Sequence, residues 1–467
     1  MTAAPLSVRQ PPQPTPPPST MVQSTMVQTT MVQSTMVQST MVQSTASQPP
    51  QSPPSTPRFG VNYTPSSGWF HHWLDFDLDA VRADLDSIAA LGMDHVRVFP
   101  LWPVFQPNRT LIRPAAVEQL VAVADAAGER GLDVNVDGLQ GHLSSFDFQP
   151  AWIHSWHRRN MFTDPDVVGA EAEYLRTLAS ALADRPNFIG MTLGNETNQF
   201  SGDPHPDPDR ITPAQAAAWL DRLLEACEQG APGKFHLHCS YDAAWYLDDH
   251  PFTPAHAARY GAATAIHSWV FNGTQQRYGT DSAAVAHHAE YMIELSKAWS
   301  ADPRRPVWLQ EVGAPQPHVP ADKAADFTRA TVANALDCPD LWGITWWCSH
   351  DVSKDLADFP ELEYSLGLLT NDREPKPAGL ELAKIVGEIR GQWAPPAPRS
   401  VGLVLDLPEE VTARATCGPG GGFYEAFMHL LEEGARPTAV LAGLAGDKNH
   451  LTARGITEVL AVEDVWS

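Results

Sequence analysis

Short apolar runs alternate with longer segments of helical periodicity from residue 58 to residue 393. Runs bounded by Pro and Gly predict buried strands of a parallel sheet, and apolar positions spaced three and four apart predict the helices that cover it. The predicted strands are Phe59–Tyr63, His95–Phe99, Leu132–Val136, Phe188–Leu193, Phe235–Ser240, Ala263–His267, Val307–Gln310 and Gly343–Trp347. The predicted helices include Asp79–Leu91, Pro114–Arg130, Asp166–Ala183, Pro213–Gln229, Asp281–Trp299 and Ala321–Leu336.

This alternation predicts one large α/β domain over residues 58–393, and it favours a (β/α)₈ TIM barrel with insertions. A doubly wound open sheet is the alternative architecture. Such a sheet would more often carry a glycine-rich phosphate turn after its first strand, and the segment from Phe59 to Pro65 has none.

The N-terminal region differs from the barrel in composition. Residues 1–57 are rich in Pro, Ser, Thr and Gln, and a Thr-Met-Val-Gln-Ser/Thr unit repeats five times from Thr20. A five-residue period fits neither a helix nor a strand. The region therefore predicts a disordered, low-complexity tail.

The C-terminal region predicts a small α/β module over residues 400–467, after a proline-rich linker at Trp393–Arg399. Its predicted elements are the strands Val401–Leu405, Ala439–Leu441 and Glu458–Val462 and the helices Phe423–Glu433 and Lys448–Arg454. The glycine run Gly418–Gly422 lacks the Lys-Ser/Thr of a phosphate-binding loop, so an ordinary loop is favoured. We expect the module to serve packing, or a homo-oligomer, rather than chemistry.

Charge and cysteine content restrict the function classes. The chain has 467 residues with 31 basic and 55 acidic side chains, a net charge of −24, which argues against nucleic acid or an anionic membrane as partner. Five scattered cysteines without a C-x-x-C spacing predict neither a disulfide framework nor a zinc site. The chain shows no signal-peptide pattern and no run long enough to cross a bilayer, so we expect a cytoplasmic protein.

Candidate chemistry lies in two glutamates at the ends of apolar runs. Glu196 follows the run from Phe188 to Asn195, and Glu311 follows Val307–Gln310. The C-terminal ends of barrel strands line the active-site face. An acidic residue at such an end costs stability if its role is only structural, so a functional role is favoured. Two carboxylates that converge there can act as acid/base and nucleophile in cleavage of a glycosidic bond.

The ends of the predicted strands together resemble those of the clan A glycoside hydrolases, family 5 in particular, over residues 58–393. The resemblance rests on the segments His95-Val-Arg97-Val-Phe-Pro, Gly194-Asn195-Glu196, Ala265-Ile-His267-Ser-Trp269, Gln310-Glu311-Val-Gly313 and Thr345-Trp346-Trp347. It implies that Glu196 is the general acid/base and Glu311 the nucleophile of a retaining mechanism. No metal or other cofactor is implied.

The same resemblance implies further substrate-site roles. Asn195 would bond the 2-hydroxyl of the sugar being cleaved, Arg97 would hold the nucleophile ionised, and Trp347 would lie under that sugar. His267 and, less closely, His142 match pocket histidines of the family.

Two positions depart from the family pattern. Thr197 follows Glu196 where many relatives have proline, and the second departure lies after the sixth strand. The family usually carries His-x-Tyr after its sixth strand, and the tyrosine bonds the nucleophile. Here Trp269 stands at the tyrosine position, so we expect weakened hydrogen-bond support of Glu311, with Tyr241 as a substitute donor. We also expect Trp269 and Trp102 to contact sugar, and we expect the pairs His71-His72, His236-x-His238 and His287-His288 not to bind metal.

The sequence predicts a retaining glycoside hydrolase that acts on a neutral β-linked oligosaccharide. Without export, an exo-acting β-mannosidase-like enzyme that trims imported fragments is the first hypothesis. An endo-β-1,4-glucanase or β-glucosidase of the same family is the alternative. A non-catalytic carbohydrate-binding barrel and a transglycosylase are further alternatives, and sequence alone does not distinguish them.

Overall fold

The computed structural model describes residues 54–140, 142–407 and 413–466. The predicted tail, residues 1–57, lies outside this range except for its last four positions, so its expected disorder stays a prediction. No helix of the described residues is long and apolar enough to cross a membrane. All five cysteines are buried as free thiols.

Seven parallel strands form the central curved sheet, in the order β6-β3-β2-β1-β9-β8-β7. The strands of the structure are β1 Arg58–Asn62, β2 His95–Val98, β3 Asp133–Gln140, β4 His142–Leu143, β5 Phe146–Asp147, β6 Phe188–Asn195, β7 Thr264–Ser268, β8 Val307–Val312, β9 Leu341–Trp346, β10 Val401–Leu405, β11 Pro437–Leu441 and β12 Glu458–Leu460. The short pair β4 and β5 is an antiparallel hairpin at the end of β3. Helices follow the sheet strands, so the (β/α)₈ barrel is confirmed.

The predicted fifth strand, Phe235–Ser240, is not a regular strand. Its backbone still closes the barrel, because Phe235 N and Leu237 N donate to carbonyls of β6 and Ala262 N donates to His236 O just before β7. The regular ladder fails because the His236 side chain enters it, with Nδ1 accepting a 3.0 Å hydrogen bond from Met191 N. A side chain thus takes the backbone donor that a strand partner would use.

The helices match the predicted ones within a few residues, as expected where termini fray. The α-helices are α1 Leu78–Ala90, α2 Trp102–Phe105, α3 Pro114–Gly128, α4 Pro165–Leu182, α5 Pro213–Gly230, α6 Ala243–Tyr246, α7 Pro254–Arg259, α8 Thr274–Tyr278, α9 Ala283–Ser296, α10 Ala324–Leu336, α11 Pro377–Gln392, α12 Gly422–Glu432 and α13 Lys448–Arg454. Short 3₁₀ helices lie at Trp69–Trp73, Thr197–Ser201, Lys297–Trp299, Ala321–Lys323, Glu361–Ser365, Ala415–Cys417, Ala442–Leu444 and Val462–Trp466. Most of the long helices begin with a proline or follow an Asp, Ser or Thr cap. The proline lacks an N–H that would have no partner in the first turn, and the cap side chain accepts a hydrogen bond from such an N–H.

Three barrel strands extend further toward the mouth than their apolar runs predicted. β3 continues to Gln140, β6 to Asn195 and β8 to Val312. Polar residues in these extensions keep strand conformation because they are buried and bonded to one another across the mouth, as described below. Glu311 therefore lies within β8, one residue before its end.

The C-terminal residues form a three-stranded parallel sheet, in the order β11-β10-β12, with α12 and α13. This module packs on the barrel through the buried Arg414, which donates to the Leu247 and His250 carbonyls. The glycine run passes close to the barrel as well, since a Cβ on Gly418 would lie 3.2 Å from the Tyr246 ring. Gly420 has a φ of +87°, which favours glycine at this turn. The run therefore has a packing reason for its glycines.

Candidate active site

Two glutamates from distant parts of the chain meet at the mouth of the barrel. Glu196 directly follows β6, and Glu311 lies in β8 on the other side of β7. Carboxylate oxygens of both and a ring nitrogen of His267 all lie within 4.8 Å of one another. Glu196 is 6% exposed and Glu311 3% exposed, so both carboxyl groups are held in an environment poor in water.

Glu311 is surrounded by donors. Arg97 Nη1 donates to its Oε1 at 2.8 Å, while Trp269 Nε1 donates to its Oε2 at 3.3 Å and His267 Nδ1 lies 3.2 Å from the same oxygen. The expectation that Trp269 leaves this glutamate with weakened support is therefore wrong. An indole N–H is a donor with no acceptor role, and a carboxylate needs only a donor.

Glu196 has a different environment. Its backbone is left-handed, with φ +47°, which turns the side chain out of β6 toward the mouth. Gln199 Nε2 donates to Oε2 at 2.7 Å, and His267 Nδ1 lies 2.6 Å from Oε1. Burial raises the pKa of Glu196 to about 7, against the opposing charges of His142 and Arg97.

The pKa of Glu311 is also raised, by burial and by the charge of Glu196, while His267 and Arg97 lower it. Two carboxylates this close cannot both ionise without cost. Since Arg97 bonds Glu311 directly and Glu196 only at longer range, the geometry favours charge on Glu311 and a proton on Glu196.

Arg97 connects the mouth residues from below. Its Nη2 donates to Asp137 Oδ2 at 2.5 Å and to Asn195 Oδ1 at 2.8 Å, and its Nη1 also donates to Asn62 Oδ1 at 3.1 Å. The guanidinium is completely buried. Burial raises the pKa of Asp137 to about 6, although Arg97 lowers it.

His267 is completely buried between the two glutamates, and burial lowers its pKa to about 4. The ring is therefore neutral at physiological pH, and its Nδ1 lies within hydrogen-bonding distance of both carboxyl groups. Because the His267 ring is neutral, Arg97 supplies the positive charge that acts on the two glutamates.

The remaining predicted residues lie around this centre. Asn195 Nδ2 donates to the His142 carbonyl at 3.0 Å, which leaves its second hydrogen for a ligand. The His142 ring pairs with Asp147 at 3.2 Å, half-exposed at the rim. Trp347 directly follows β9, with its ring edge against Phe99 at a 5.7 Å centroid distance.

Tyr241 does not act as the substitute donor to Glu311. Among the described residues, Glu311 is contacted by Arg97, Trp269 and His267 instead. Burial, and then the charges of Asp242 and Glu196, raise the pKa of Tyr241 above the ordinary range. Trp102 is likewise not a sugar contact, since it is completely buried and its Nε1 donates to Gln106 at 2.8 Å.

Aromatic side chains from three loops pack together, and Phe70 and Phe99 connect them to Trp347. Trp69 lies 4.8 Å from Phe359, 5.9 Å from Phe146 and 5.6 Å from Phe148, centroid to centroid. Trp69 is 2% exposed. We call these four residues the aromatic wall, and it joins the loops after β1, β3 and β9.

Metal ligation has one geometric candidate among the described residues, formed by Glu196, His267 and Glu311. The guanidinium of Arg97, 2.8 Å from Glu311, already supplies a positive charge to that cluster. The histidine pair on the irregular fifth strand is engaged otherwise, because His236 bonds the backbone on both ring nitrogens. That the protein needs no metal stays a prediction.

Sequence reasoning missed several members of the site. Asn62, Asp137 and Gln310 bond directly to the predicted residues, and Glu363 lies buried beside Trp347. Asp137 could have been found, because a carboxylate near the end of an apolar barrel strand is the same signal that marked Glu196. Glu363 gives no such signal, since it lies in a polar loop.

A parallel barrel with two buried glutamates at the C-terminal ends of its strands has the arrangement of the barrel glycoside hydrolases. The carboxylate oxygens lie within 4.8 Å of each other, which fits the spacing of about 5–5.5 Å that is typical of retaining enzymes. No protein-family model and no curated protein matches the chain. Solved structures do.

A glutamate-to-alanine variant of GH5_18 from Streptomyces cattleya, in complex with Manβ1-4GlcNAc, is 72% identical, with a TM-score of 0.87 over 88% of this chain and 100% of that chain. GH5_18 from Bifidobacterium longum subsp. infantis is 47% identical, with a TM-score of 0.85 over 88% and 97% of the two chains. An exo-β-1,4-mannosidase from Opitutaceae bacterium strain TAV5, 23% identical with a TM-score of 0.70 over 82% and 69% of the chains, shares the fold.

The chain belongs to glycoside hydrolase family 5, in the group GH5_18. It is a retaining glycoside hydrolase.

Proposed function

We propose that this protein is an exo-acting β-mannosidase that releases mannose from short oligosaccharides of the Manβ1-4GlcNAc type. Relatives at 72% and 47% identity, from Streptomyces cattleya and Bifidobacterium longum subsp. longum, were crystallised with Manβ1-4GlcNAc. The expected neutral β-linked oligosaccharide agrees with this ligand, and the net charge of −24 does not oppose a neutral substrate.

One observation carries the mechanism, namely the unequal surroundings of two adjacent carboxyl groups. Glu311 accepts hydrogen bonds from Arg97 and Trp269, whereas Glu196 has no cation in direct contact among the described residues and its pKa is raised to about 7. We assign Glu311 as the nucleophile and Glu196 as the acid/base. When their surroundings push the pKa values of two neighbouring carboxyl groups apart, the group that keeps its proton is the acid and the ionised group is its partner.

In the first step Glu311 attacks the anomeric carbon while Glu196 gives its proton to the leaving glycosidic oxygen. A covalent mannosyl-enzyme forms and the GlcNAc-bearing fragment departs. In the second step Glu196 takes a proton from water, and the hydroxyl displaces Glu311 at the same carbon. Two inversions give net retention.

The neighbours would support these steps. The free Nδ2 hydrogen of Asn195 would bond the 2-hydroxyl, where hydrogen bonds strengthen in the transition state. Neutral His267 would keep both carboxyl groups oriented without adding a charge. Trp347 would contact the C–H face of the sugar.

The aromatic wall supports exo action. Its rings join the loops after β1, β3 and β9, and Phe70 and Phe99 connect it to Trp347. Because Trp347 would lie under the sugar being cleaved and Glu196 would face the leaving group, we assign the wall to the non-reducing end of the substrate. A chain that continued past the cleaved sugar would meet packed aromatic rings there.

A panel of aryl β-glycosides, with Manβ1-4GlcNAc beside them, tests the assignment. We expect hydrolysis of the β-mannoside to exceed that of the β-glucoside, with mannose as the first product. Turnover of the glucoside alone, or internal cleavage of a longer glucan, would contradict this assignment and support a β-glucosidase or an endo-β-1,4-glucanase.

Glycosyl-azide products test the two roles separately. With azide, Glu311→Ala should give the α-mannosyl azide, because azide replaces the missing nucleophile in a single inversion. Glu196→Ala, given a substrate with a good leaving group, should give the β-mannosyl azide through the covalent intermediate. Exchanged anomers would reverse the assignment, and full activity of Glu311→Ala would overturn the mechanism.

A further inference from the structure

A buried carboxyl group that the mechanism does not use lies next to Trp347. Glu363 is on the 3₁₀ helix Glu361–Ser365 in the long loop after β9, and it is 7% exposed. Its neighbour Glu361, two residues earlier, is instead exposed and pairs with Lys354. A glutamate is rarely buried without a partner, so the inward direction of Glu363 calls for an explanation.

The polar atoms that face Glu363 are incompletely satisfied. The Ser144 hydroxyl and the Trp347 indole N–H are its nearest donors, and they lower its pKa, whereas burial raises that pKa to about 7. Neither donor completes a hydrogen bond, because Ser144 Oγ and Trp347 Nε1 are both buried without a partner among the described residues. A donor buried without a bond costs free energy until a ligand supplies the partner.

The hairpin turn explains how Ser144 arrives there. Ser144 and Ser145 have φ values of +52° and +73° in the tight turn between β4 and β5. Two left-handed residues in succession reverse the chain sharply. Ser144 is thereby brought back into the mouth and is 9% exposed.

Glu363 lies on the non-reducing-end side of the catalytic pair. It lies in the loop that follows β9 and begins with Trp347, the expected platform of the cleaved sugar, whereas Glu196 follows β6. Phe359 of the aromatic wall is in the same loop, four residues before it. The Phe359 ring lies 5.9 Å from that of Tyr364, the residue after Glu363, so we assign the carboxyl group to the last sugar position before the wall.

We infer that Glu363, with the Ser144 hydroxyl and the Trp347 indole N–H, binds hydroxyls of an unsubstituted terminal pyranoside and thereby determines specificity for it. This inference rests on the proposed exo-mannosidase function. The carboxylate accepts hydrogen bonds from two neighbouring hydroxyls, and the two unpaired donors give theirs to the oxygens beside them. A sugar substituted at those hydroxyls loses these bonds and meets the wall.

Monodeoxy aryl β-mannosides measure this contact. We expect the wild-type enzyme to lose about a hundredfold in kcat/KM for the substrate that lacks a hydroxyl bound by Glu363, as a site built for a hydroxyl rejects its analogue. Glu363→Gln should lose a similar factor on the complete mannoside and much less on that deoxy substrate. Glu361→Gln, an exposed change on the same helix, should leave every value unchanged.

Equal losses by Glu363→Gln on all substrates would mean a structural role and would overturn the inference, as would a wild-type enzyme indifferent to every single deoxygenation. If Glu363→Gln does not fold, the inference is tested by the kcat/KM values of Ser144→Ala and of the wild-type enzyme on the monodeoxy substrates. Failure of the proposed function is distinguishable, because the enzyme would then turn over a glucoside instead. The same deoxy comparison would be made on that sugar.

Discussion

Two buried arginines in this protein are each surrounded by carboxylates, with opposite consequences for the protons. At the mouth, Arg97 is the ion-pair partner of Glu311 and Asp137, with Glu196 close by. At the junction of barrel and C-terminal module, Arg399 pairs with Glu290 at 2.6 Å and with Glu294 at 3.3 Å. Both guanidinium groups are at most 2% exposed.

The difference lies in the ratio of cations to carboxylates. Burial raises the pKa of Glu196 to about 7 and that of Asp137 to about 6, because one guanidinium serves three carboxyl groups. Burial also acts on Glu294, but Lys297 and Arg399 together outweigh it and lower its pKa to about 2.

The same residue types thus retain a proton on Glu196 at the mouth and keep Glu294 ionised at the junction. The shortage of positive charge at the mouth is what leaves a proton available for catalysis.

Removing the mouth cation should have the largest effect on chemistry. We expect Arg97→Met to lower kcat/KM by about a thousandfold, the upper range for loss of one preorganised charged donor. Its stability cost should be smaller at pH 5 than at pH 8, because the three carboxyl groups left behind can take up protons. Steady-state kinetics and urea unfolding at both pH values measure this, and an equal cost at both would contradict the comparison.

Removing the junction cation should affect stability instead. We expect Arg399→Met to cost about 3 kcal/mol of unfolding free energy, because Glu290 and Glu294 remain buried with too little positive charge. Activity per folded molecule should stay near the wild-type value, since the cluster is distant from the catalytic residues along the fold. A loss of kcat without a loss of stability would show that the module controls the site.

The pH dependence of activity should follow from the proton on Glu196. Its pKa of about 7 predicts that kcat/KM falls above about pH 7, approaching tenfold per pH unit, as the acid ionises in the free enzyme. On the acid side of the profile, kcat/KM should fall as Glu311, whose pKa is also raised, takes up a proton. Because the two carboxyl groups interact, the two apparent pKa values of the profile belong to the pair. Glu196→Gln, with an activated aryl substrate, should lose the alkaline limb, and its persistence would assign that limb to another group.

The free energy of unfolding should also depend on pH through the proton on Glu196. Because the folded pKa of Glu196 lies above its unfolded value, its ionisation costs stability as pH rises from about 4.5 through 7. Glu196→Gln should therefore be more stable than wild type at pH 8, by about 3 kcal/mol, because each unit of pKa difference corresponds to about 1.4 kcal/mol, and nearly equal at pH 4.5. Thermal unfolding at the two pH values measures the difference, and an opposite trend would contradict a protonated Glu196.

Metal removal should have the smallest effect. Although Glu196, His267 and Glu311 could ligate a cation, the proposed chemistry uses Arg97 as the only positive group at the pair. We expect incubation with EDTA, followed by assay in metal-free buffer, to leave kcat unchanged within error. A loss restored by one divalent ion would assign that cluster to a metal.

The periodic parts of the fold were predictable from sequence because local forces determine them. Apolar runs became β1, β2, β7 and β9 within one or two residues, and helices such as α13 matched their predicted bounds. The fifth strand was not predictable, because a long-range contact between His236 and Met191 interrupts its ladder. The ends of β3, β6 and β8 were underestimated for the same reason, since their polar residues are strand-like only when bonded across the barrel.

The sequence by itself determined that two acidic residues end two barrel strands and that an arginine ends a third, because strand direction sends all such residues to one face. Only the tertiary structure decided that Trp269 donates to Glu311, that Trp102 is buried away from the mouth, and that Glu363 turns inward beside Trp347. These facts depend on loops whose conformations are set by packing against other loops. Side-chain direction in such segments has no period along the chain, so no local pattern records it.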